Sequence, residues 1–300
     1  MTANEFKVIG LLVTYNTPGE ALRLTVARLV PQLSRLLILD NSDRSTEVAE
    51  IFSATPLEGV EYRPSGGNIG IAEAQNNGIV RATELGADFV LFLDDDSSFP
   101  DGGVARLLKD LKEERINSPE TVGIGPRIVD ERTGQVLAPV WEGRKIRPGT
   151  VTAITEVAYL VSSGALVDVT AFEKYGLFKG EYFIDHVDKE WGLRVGLQGG
   201  RFVASSSATM SHQLGDAPTT SRSGNVRYRH DSPIRDYYLT RNAIFVMRDL
   251  RFPPIKYVDM LRLLLDSSAR KIFGRSRSTQ QRRAVLLGLA HGLRNRRGPR

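Results

Sequence analysis

Residues 90–97 read Val90-Leu91-Phe92-Leu93-Asp94-Asp95-Asp96-Ser97. An apolar, strand-like run ends abruptly in three carboxylates. The apolar part reads as a buried strand. Three adjacent aspartates repel one another and resist burial without counter-charge. A strand tip carrying them suits a hard divalent cation, which prefers carboxylate oxygens. The same residues also suit a solvated acidic turn, with Asp95, Asp96 and Ser97 capping the next helix.

Outward from this stretch the first half alternates in type. Residues 7–14 form a β-branched run. Residues 20–33 carry Leu22, Val26, Leu29 and Leu33 at helical spacing. Residues 36–39 form a second apolar run that ends in Asp40-Asn41-Ser42. A helix is expected at 45–53, a strand at 60–63, a helix at 71–85 and a strand at 89–93. Alternating strands and helices give an α/β fold with a mainly parallel sheet and helices on both faces. Such sheets bind ligands at the carboxyl ends of their strands. Those ends read Thr14-Tyr15-Asn16, Asp40-Asn41-Ser42 and Asp94-Asp95-Asp96. The glycines of Gly66-Gly67-Asn68-Ile69-Gly70 fit neither G-x-G-x-x-G nor the G-x-x-x-x-G-K-[ST] phosphate loop. They allow a backbone turn close to a ligand, or an ordinary turn.

The second half is less regular. A strand is expected at 156–161, a turn at Ser162-Ser163-Gly164 and further buried chain at 165–169. A helix is expected at 171–175. Phe183-Ile184-Asp185-His186 precedes a helix from Val187, with Asp188 in its first turn, where a carboxylate also interacts well with the helix dipole. Short strands at 201–204 and 208–210 lead to Ser211-His212.

Composition bounds the rest. At 300 residues and 41% hydrophobic, the chain can build one large domain with appendages. It has no cysteine, which excludes disulfides and Cys-based zinc or iron–sulfur sites. The first residues lack the basic-then-apolar pattern of a signal peptide. No stretch reaches the roughly 18 apolar residues of a membrane span. The net charge of +5 is concentrated late: Asp266 is the last acidic residue, and ten Lys or Arg follow it. Segments 257–266 and 284–293 are apolar at helical spacing and edged by basic residues. That pattern suits helices lying on an anionic membrane surface, and equally helices packed on the main domain or a second subunit. No aromatic platform accompanies the arginines, which argues against nucleic acid.

In their order along the chain, several motifs resemble family 2 glycosyltransferases of the GT-A fold. They are Val13-Thr14-Tyr15-Asn16, Asp40-Asn41-Ser42, Gly67-Asn68-Ile69-Gly70, Leu93 to Ser97, Ser163-Gly164, Phe183 to Arg194, and Ser211-His212 with Leu214-Gly215. The resemblance covers residues 8–242. It is strongest to bacterial rhamnosyltransferases, with galactofuranosyltransferases as near relatives. It implies a Rossmann-like sheet and a nucleotide-diphosphate sugar donor, dTDP-L-rhamnose first. It implies that Thr14, Tyr15 and Asn16 line the nucleotide pocket and that Asp40 accepts the N3–H of a pyrimidine. Asn68 would hold base or ribose, and Gly67 would permit close approach. Asp94 and Asp96 match the ends of the D-x-D motif. Asp96 would coordinate Mg2+ or Mn2+, Asp94 would bind ribose or the metal shell, Asp95 would lie with them on the donor side, and His212 would add a ligand. The central residue, Asp95, replaces the Gln common in rhamnosyltransferases and also suits galactofuranosyl relatives that use UDP-galactofuranose.

On the acceptor side the resemblance implies Asp188 as the base of an inverting displacement, with Asp185 and Glu190 as rivals. Asp185, Ser163 and Gly164 would meet acceptor or sugar, Trp191 would pack under a sugar ring or in the core, and Arg241-Asn242 would be scaffolding. The expected layout is a catalytic domain at 1–250, with a nucleotide-sugar half at 1–125 and an acceptor half at 126–250. A basic helical extension follows at 251–300. The expected setting is bacterial cell-surface polysaccharide synthesis on a saccharide or lipid-linked saccharide, in the cytoplasm or on the inner membrane face. A nucleotidyltransferase would need a basic residue after the first strand, and 14–19 offers none. A non-catalytic sugar-nucleotide binder would have no use for Asp188.

Overall fold

The apolar runs form strands because helices cover both of their faces. The computed structural model describes residues 6–43, 47–54, 57–95, 99–143, 145–212, 219–220, 226–227, 232–252, 254–274 and 278–300. Its elements alternate as expected through the first half: β1 (Val8–Thr14), α1 (Gly19–Leu29), β2 (Arg35–Asp40), α2 (Glu47–Ala54), β3 (Val60–Pro64), α3 (Ile71–Glu84) and β4 (Phe89–Asp94). Next come α4 (Gly103–Asn117), β5 (Thr121–Asp130), β6 (Ala138–Glu142), β7 (Lys145–Gly149), β8 (Ile154–Val157) and β9 (Leu166–Asp168). They are followed by α5 (Thr170–Tyr175), α6 (Val187–Leu197), β10 (Arg201–His212), β11 (Thr219–Thr220) and β12 (Val226–Arg227). Three helices close the described chain: α7 (Pro233–Asp249), α8 (Pro254–Phe273) and α9 (Thr279–Leu293).

Eight strands form one sheet in the order β3-β2-β1-β4-β9-β5-β10-β8. The four pairings β3-β2, β2-β1, β1-β4 and β5-β10 are parallel, whereas β9 and β8 run antiparallel to their neighbours. The alternation of side chains explains the unbroken apolar run of β4. Val90 and Phe92 point to a core shared with α3, α5 and α6, and Phe89, Leu91 and Leu93 to a core shared with α1, α2 and α4. Burying each such side chain stabilises the fold by roughly 2 kcal/mol. Register brings the strand tips level: Val13 lies opposite Asp94, and Thr14 opposite Asp40. The three polar strand ends therefore share one edge.

The sequence left 100–155 without elements, and α4, β5 and the β6–β7 hairpin lie there. The two strands expected at 201–204 and 208–210 are one strand, β10, whose register shifts between Ser205 and Thr209. Residue 125 falls inside β5, so one sheet runs through both expected halves.

The C-terminal part is helical, and α9 lies against α7. Gly288 and Gly292 make that approach: a Cβ at Gly288 would stand 2.6 Å from the Tyr237 carbonyl oxygen. Ser278 and Gln281 form a capping box at the start of α9, and Arg248 donates to the carbonyls of Gly292 and Leu293 at its end, both at 3.1 Å. Part of the apolar surface of 284–293 packs on α7, with Ala284 and Val285 buried, while Leu286 and Leu293 stay exposed. Among the described residues no helix is long and apolar enough to cross a membrane.

Candidate active site

The strand tips are wired together by short polar side chains. Asp40 is buried at the end of β2 and accepts from the Ser42 backbone N–H (3.1 Å) and the Tyr62 hydroxyl (2.6 Å). Burial, then the hydrogen bond and charge of Asp40, push the Tyr62 phenol well above its usual range, so it stays a donor. Asn41 bridges to the glycine-rich turn. Its Nδ2 donates to Asn68 Oδ1 (3.2 Å), and its Oδ1 accepts from the Ile69 N–H (2.9 Å). Asn68 Oδ1 also accepts from the Gly70 N–H at 3.0 Å. Sequence reasoning gave Asn41 and Tyr62 no role of their own.

Asn16 adopts a left-handed conformation (φ 54°), which asparagine tolerates better than most residues, and its N–H donates to Ser42 Oγ at 2.9 Å. Tyr15 is half exposed and donates to Asp43 Oδ2 at 2.8 Å. Thr14 donates to Thr17 Oγ1 at 2.7 Å, and Thr17 in turn donates to Asp95. Thr17 is a third residue that sequence reasoning passed over. Gly67 stands clear, with φ 146° and open space where a Cβ would be. Gly70 is the constrained glycine: at φ 84° its absent Cβ leaves room for the ring and carbonyl of Phe183, 2.5 and 2.7 Å from where it would sit.

The acceptor-side residues approach the same edge from behind β4. The turn Ser162-Ser163-Gly164 bonds to β4 through the Gly164 N–H and the Phe92 carbonyl (2.8 Å). Ser163 is buried, and Gly164 (φ 81°) packs on Pro126 and Met210. The Ser162 N–H reaches Asp188 Oδ2 at 3.4 Å, and the Lys189 N–H donates to Oδ1 at 2.7 Å. One turn therefore ties the tip of β4 to the first turn of α6. Burial pushes the Asp188 carboxyl above the ordinary range, opposed by those two backbone N–H groups, while nearby Asp185 pushes the same way as burial.

The loop before α6 is strained. Phe183, Asp185 and His186 all have positive φ, at 67°, 65° and 63°. It is held by two fully buried side chains of α7. Asn242 Nδ2 donates to the carbonyls of Tyr182 (2.9 Å), Ile184 (2.8 Å) and Asp185 (2.9 Å). Arg241 donates to Glu181 and Tyr182, and to Gly298 beyond α9. Arg297 adds ion pairs to Glu181 (2.9 Å) and Asp249 (2.5 Å). His186 donates through Nε2 to the Leu239 carbonyl at 3.2 Å, and burial with the charges of Lys189 and Lys271 holds its pKa down to about 3. It is neutral there. Asp185 is ion-paired to Arg235 at 2.6 Å, which sets it apart from Asp188.

One assignment changes, and one rival is set aside. Trp191 is in the core and cannot lie under a sugar ring. Its ring stacks on Phe172 with centroids 4.7 Å apart, and its Nε1 donates to the Gly176 carbonyl at 2.7 Å. Glu190, the rival base, is buried and held by two cations, Lys179 (3.2 Å) and Arg194 (3.1 Å), a structural cluster.

Asp94 and Asp95 supply hard oxygen donors at the end of β4, a donor set that suits Mg2+ or Mn2+. Asp96 and the side chain of His212 lie outside the described residues. Among the described residues no three His, Cys, Asp or Glu side chains converge. The backbone of His212 is placed at the end of β10, opposite Asp130 of β5.

Residues 11–176 match the family model described as Glycosyl transferase family 2. The chain is 29% identical over 259 residues to dTDP-rhamnosyl transferase RfbF of Shigella flexneri, spanning 84% of this chain and 83% of that one. Among solved structures it is similar to S. aureus TarS 1-349 in complex with UDP-GlcNAc, with TM-score 0.59 and 13% identity over 96% of this chain and 81% of that one. It is also similar to GalNAc-T7 with UDP, GalNAc and Mn2+, with TM-score 0.58 and 14% identity over 91% of this chain and 58% of that one. These likenesses show the GT-A fold.

Proposed function

This chain belongs to glycosyl transferase family 2, and from that premise we propose that it is an inverting, metal-dependent rhamnosyltransferase. It takes L-rhamnose from dTDP-L-rhamnose and delivers it to a saccharide or lipid-linked saccharide of the bacterial cell surface. The rhamnosyl assignment is supported by the relative from Shigella flexneri. One observation carries the chemistry: a single turn, 162–164, bonds both to β4 beside Asp94 and to the Asp188 carboxylate. A donor at the strand tips would then face a base from the opposite side.

In the reaction Asp188 takes the proton of the acceptor hydroxyl as its oxygen attacks the anomeric carbon. The bond from that carbon to the diphosphate breaks in the same displacement, and the configuration inverts. Its raised pKa makes Asp188 a stronger base than a solvated carboxylate. Asp40 and Asn68 meet the base and ribose, Thr14, Tyr15, Asn16, Gly67 and Asp95 shape the nucleotide pocket, and Asp185, Ser163 and Gly164 lie toward the sugars. Asp94, Asp96 and His212 would hold Mg2+ or Mn2+, which when bound offsets the charge of the departing diphosphate.

A UDP-sugar donor such as UDP-galactofuranose is the second reading, and Asp95 favours it. A panel of sugar nucleotides with Mg2+ or Mn2+, scored for transfer, separates the two. Turnover of dTDP-L-rhamnose above all others supports the first, and turnover of a UDP-sugar alone replaces it.

An anionic membrane surface remains the partner proposed for α8, whose outer face exposes Val258, Leu261 and Leu265. With it goes a cytoplasmic setting on the inner membrane face. A second subunit is the competing cover. Flotation with anionic vesicles that weakens with salt supports the membrane. A stable dimer that hides α8 rejects it.

A further inference from the structure

The carboxylate at the tip of β2 is gripped from two sides. Tyr62 lies on β3 opposite Ile38, two residues before the register position of Asp40. Side chains two apart on a strand share a face, so the phenol runs along β2 toward Asp40. Its ring packs on the core that Ile38 shares with Val48 and Phe52 of α2. The core therefore fixes where the hydroxyl stands, 2.6 Å from Asp40 Oδ2. The Ser42 N–H holds the other oxygen, Oδ1, at 3.1 Å. The Ser65 N–H donates to the Asp40 carbonyl at 2.8 Å and anchors the backbone beneath.

This grip fixes what Asp40 can offer. Burial, with the hydrogen bond and charge of Asp40, keeps the Tyr62 phenol protonated. Each oxygen thus receives a donor, and the carboxylate is left as an acceptor only. It has about four lone-pair sites, of which these contacts fill two. Asp40 is buried, and among the described residues no cation pairs with it. A buried carboxylate served by two neutral donors is costly until a further N–H completes it.

We infer that Tyr62 is a specificity-determining residue: by pinning Asp40 in place as an acceptor, it makes the base pocket take thymine or uracil and reject cytosine. Thymine and uracil bring an N3–H to that acceptor. Cytosine brings a bare ring nitrogen, so two acceptors face each other. A loose carboxylate could swing to the cytosine 4-amino group, which is a donor. The pinned one cannot follow. Thymine and uracil are alike at N3, so both donor readings pass this check. Tyr62 acts through Asp40, and its role rests on the base contact proposed above for Asp40.

Calorimetry of the full-length protein with dTDP and with dCDP, each with Mn2+, tests this. The wild-type protein should bind dTDP about tenfold or more tightly than dCDP, the scale of one unmatched polar contact. Tyr62→Phe keeps the ring in the core and deletes the hydroxyl. It should weaken dTDP, strengthen dCDP and bring the two within about threefold. A purely structural loss would lower both nucleotides together and keep their ratio. Asp40→Asn should favour dCDP, because its amide can donate to the bare ring nitrogen. The proposal is overturned if the wild-type protein shows no preference, which needs no variant to fold, or if Tyr62→Phe keeps the wild-type ratio. If Asp40→Asn keeps the preference for dTDP, the base contact itself is misplaced and Tyr62 falls with it. Should the ratios change as expected while no sugar nucleotide is turned over, Tyr62 stands and the transferase reading fails.

Discussion

The donor edge and the acceptor loop are held in opposite ways. At the donor edge Asp40, Asn41 and Asn68 reach partners 22 to 28 residues away along the chain, one strand or turn over. The loop bearing Asp185 and leading to Asp188 is held by Asn242, Arg241 and Arg297, at separations of 57 to 116 residues. The first region is shaped by its own strands. The second is shaped by elements built later in the chain, and its three positive-φ residues persist because those elements fix them. Substitutions at the two ends should therefore fail differently.

The largest effect is expected on the donor side. Asp96→Ala should remove metal-dependent nucleotide binding and nearly all transfer. Calorimetry with nucleotide diphosphate and Mn2+ checks it, and unchanged affinity would remove the metal from this end of the sheet. Asp188→Asn comes next. Donor affinity should hold while turnover falls by roughly a hundredfold, about 2.7 kcal/mol of barrier. The base must be ionised, and burial raises its pKa. The wild-type rate should therefore rise through a midpoint above the ordinary carboxylate range, and the mutant should lack that limb. If Asp185→Asn abolishes turnover while Asp188→Asn spares it, the assignment of base is wrong.

The contrast itself is tested by Asn242→Ala. It leaves the Ile184 and Asp185 carbonyls of the strained loop without their donor, while the Tyr182 carbonyl keeps Arg241, a cost of roughly 1–3 kcal/mol. Turnover should drop with the nucleotide dissociation constant unchanged, and denaturant melts should shift by that amount. If nucleotide binding weakens in parallel, the two ends are one unit and the contrast fails. The smallest effect belongs to Arg297→Ala. Its ion pairs are partly exposed, so the loss is about 1 kcal/mol or less. A several-fold fall in turnover, again without a change in nucleotide affinity, is the expected kinetic result.

The same difference explains what could be read from the sequence. The sheet order at β1, β2 and β4 follows from apolar runs that are local and covered on both faces. Their tips are polar for a reason visible in a few residues. The motif around Asp188 was recognisable, but what seats it was not, because a buried Asn and Arg on α7 look like ordinary helix residues until the loop is laid over them. Trp191 shows the ambiguity of a large aromatic: its spacing suited either a sugar platform or the core, and Phe172 and Phe178 decide for the core. The stretch 100–155 was opaque for another reason. β5 carries Gly123, Gly125 and Pro126, which weaken the strand signal, and its pairing comes from β10 and β9, which follow it in the chain. The apolar face of α9 was legible as a helix face, but its partner was not.

The seating of the loop by Arg241, Asn242 and Arg297 also sets a timetable. During synthesis the strands that carry Asp40 and Asp94 emerge first and can pair at once. Arg297 follows Asp188 by about a hundred residues, on the order of ten seconds of translation. A nascent chain should gain nucleotide affinity before it gains turnover, and the interval between them is the time that α7 and α9 take to be made and to close over the loop.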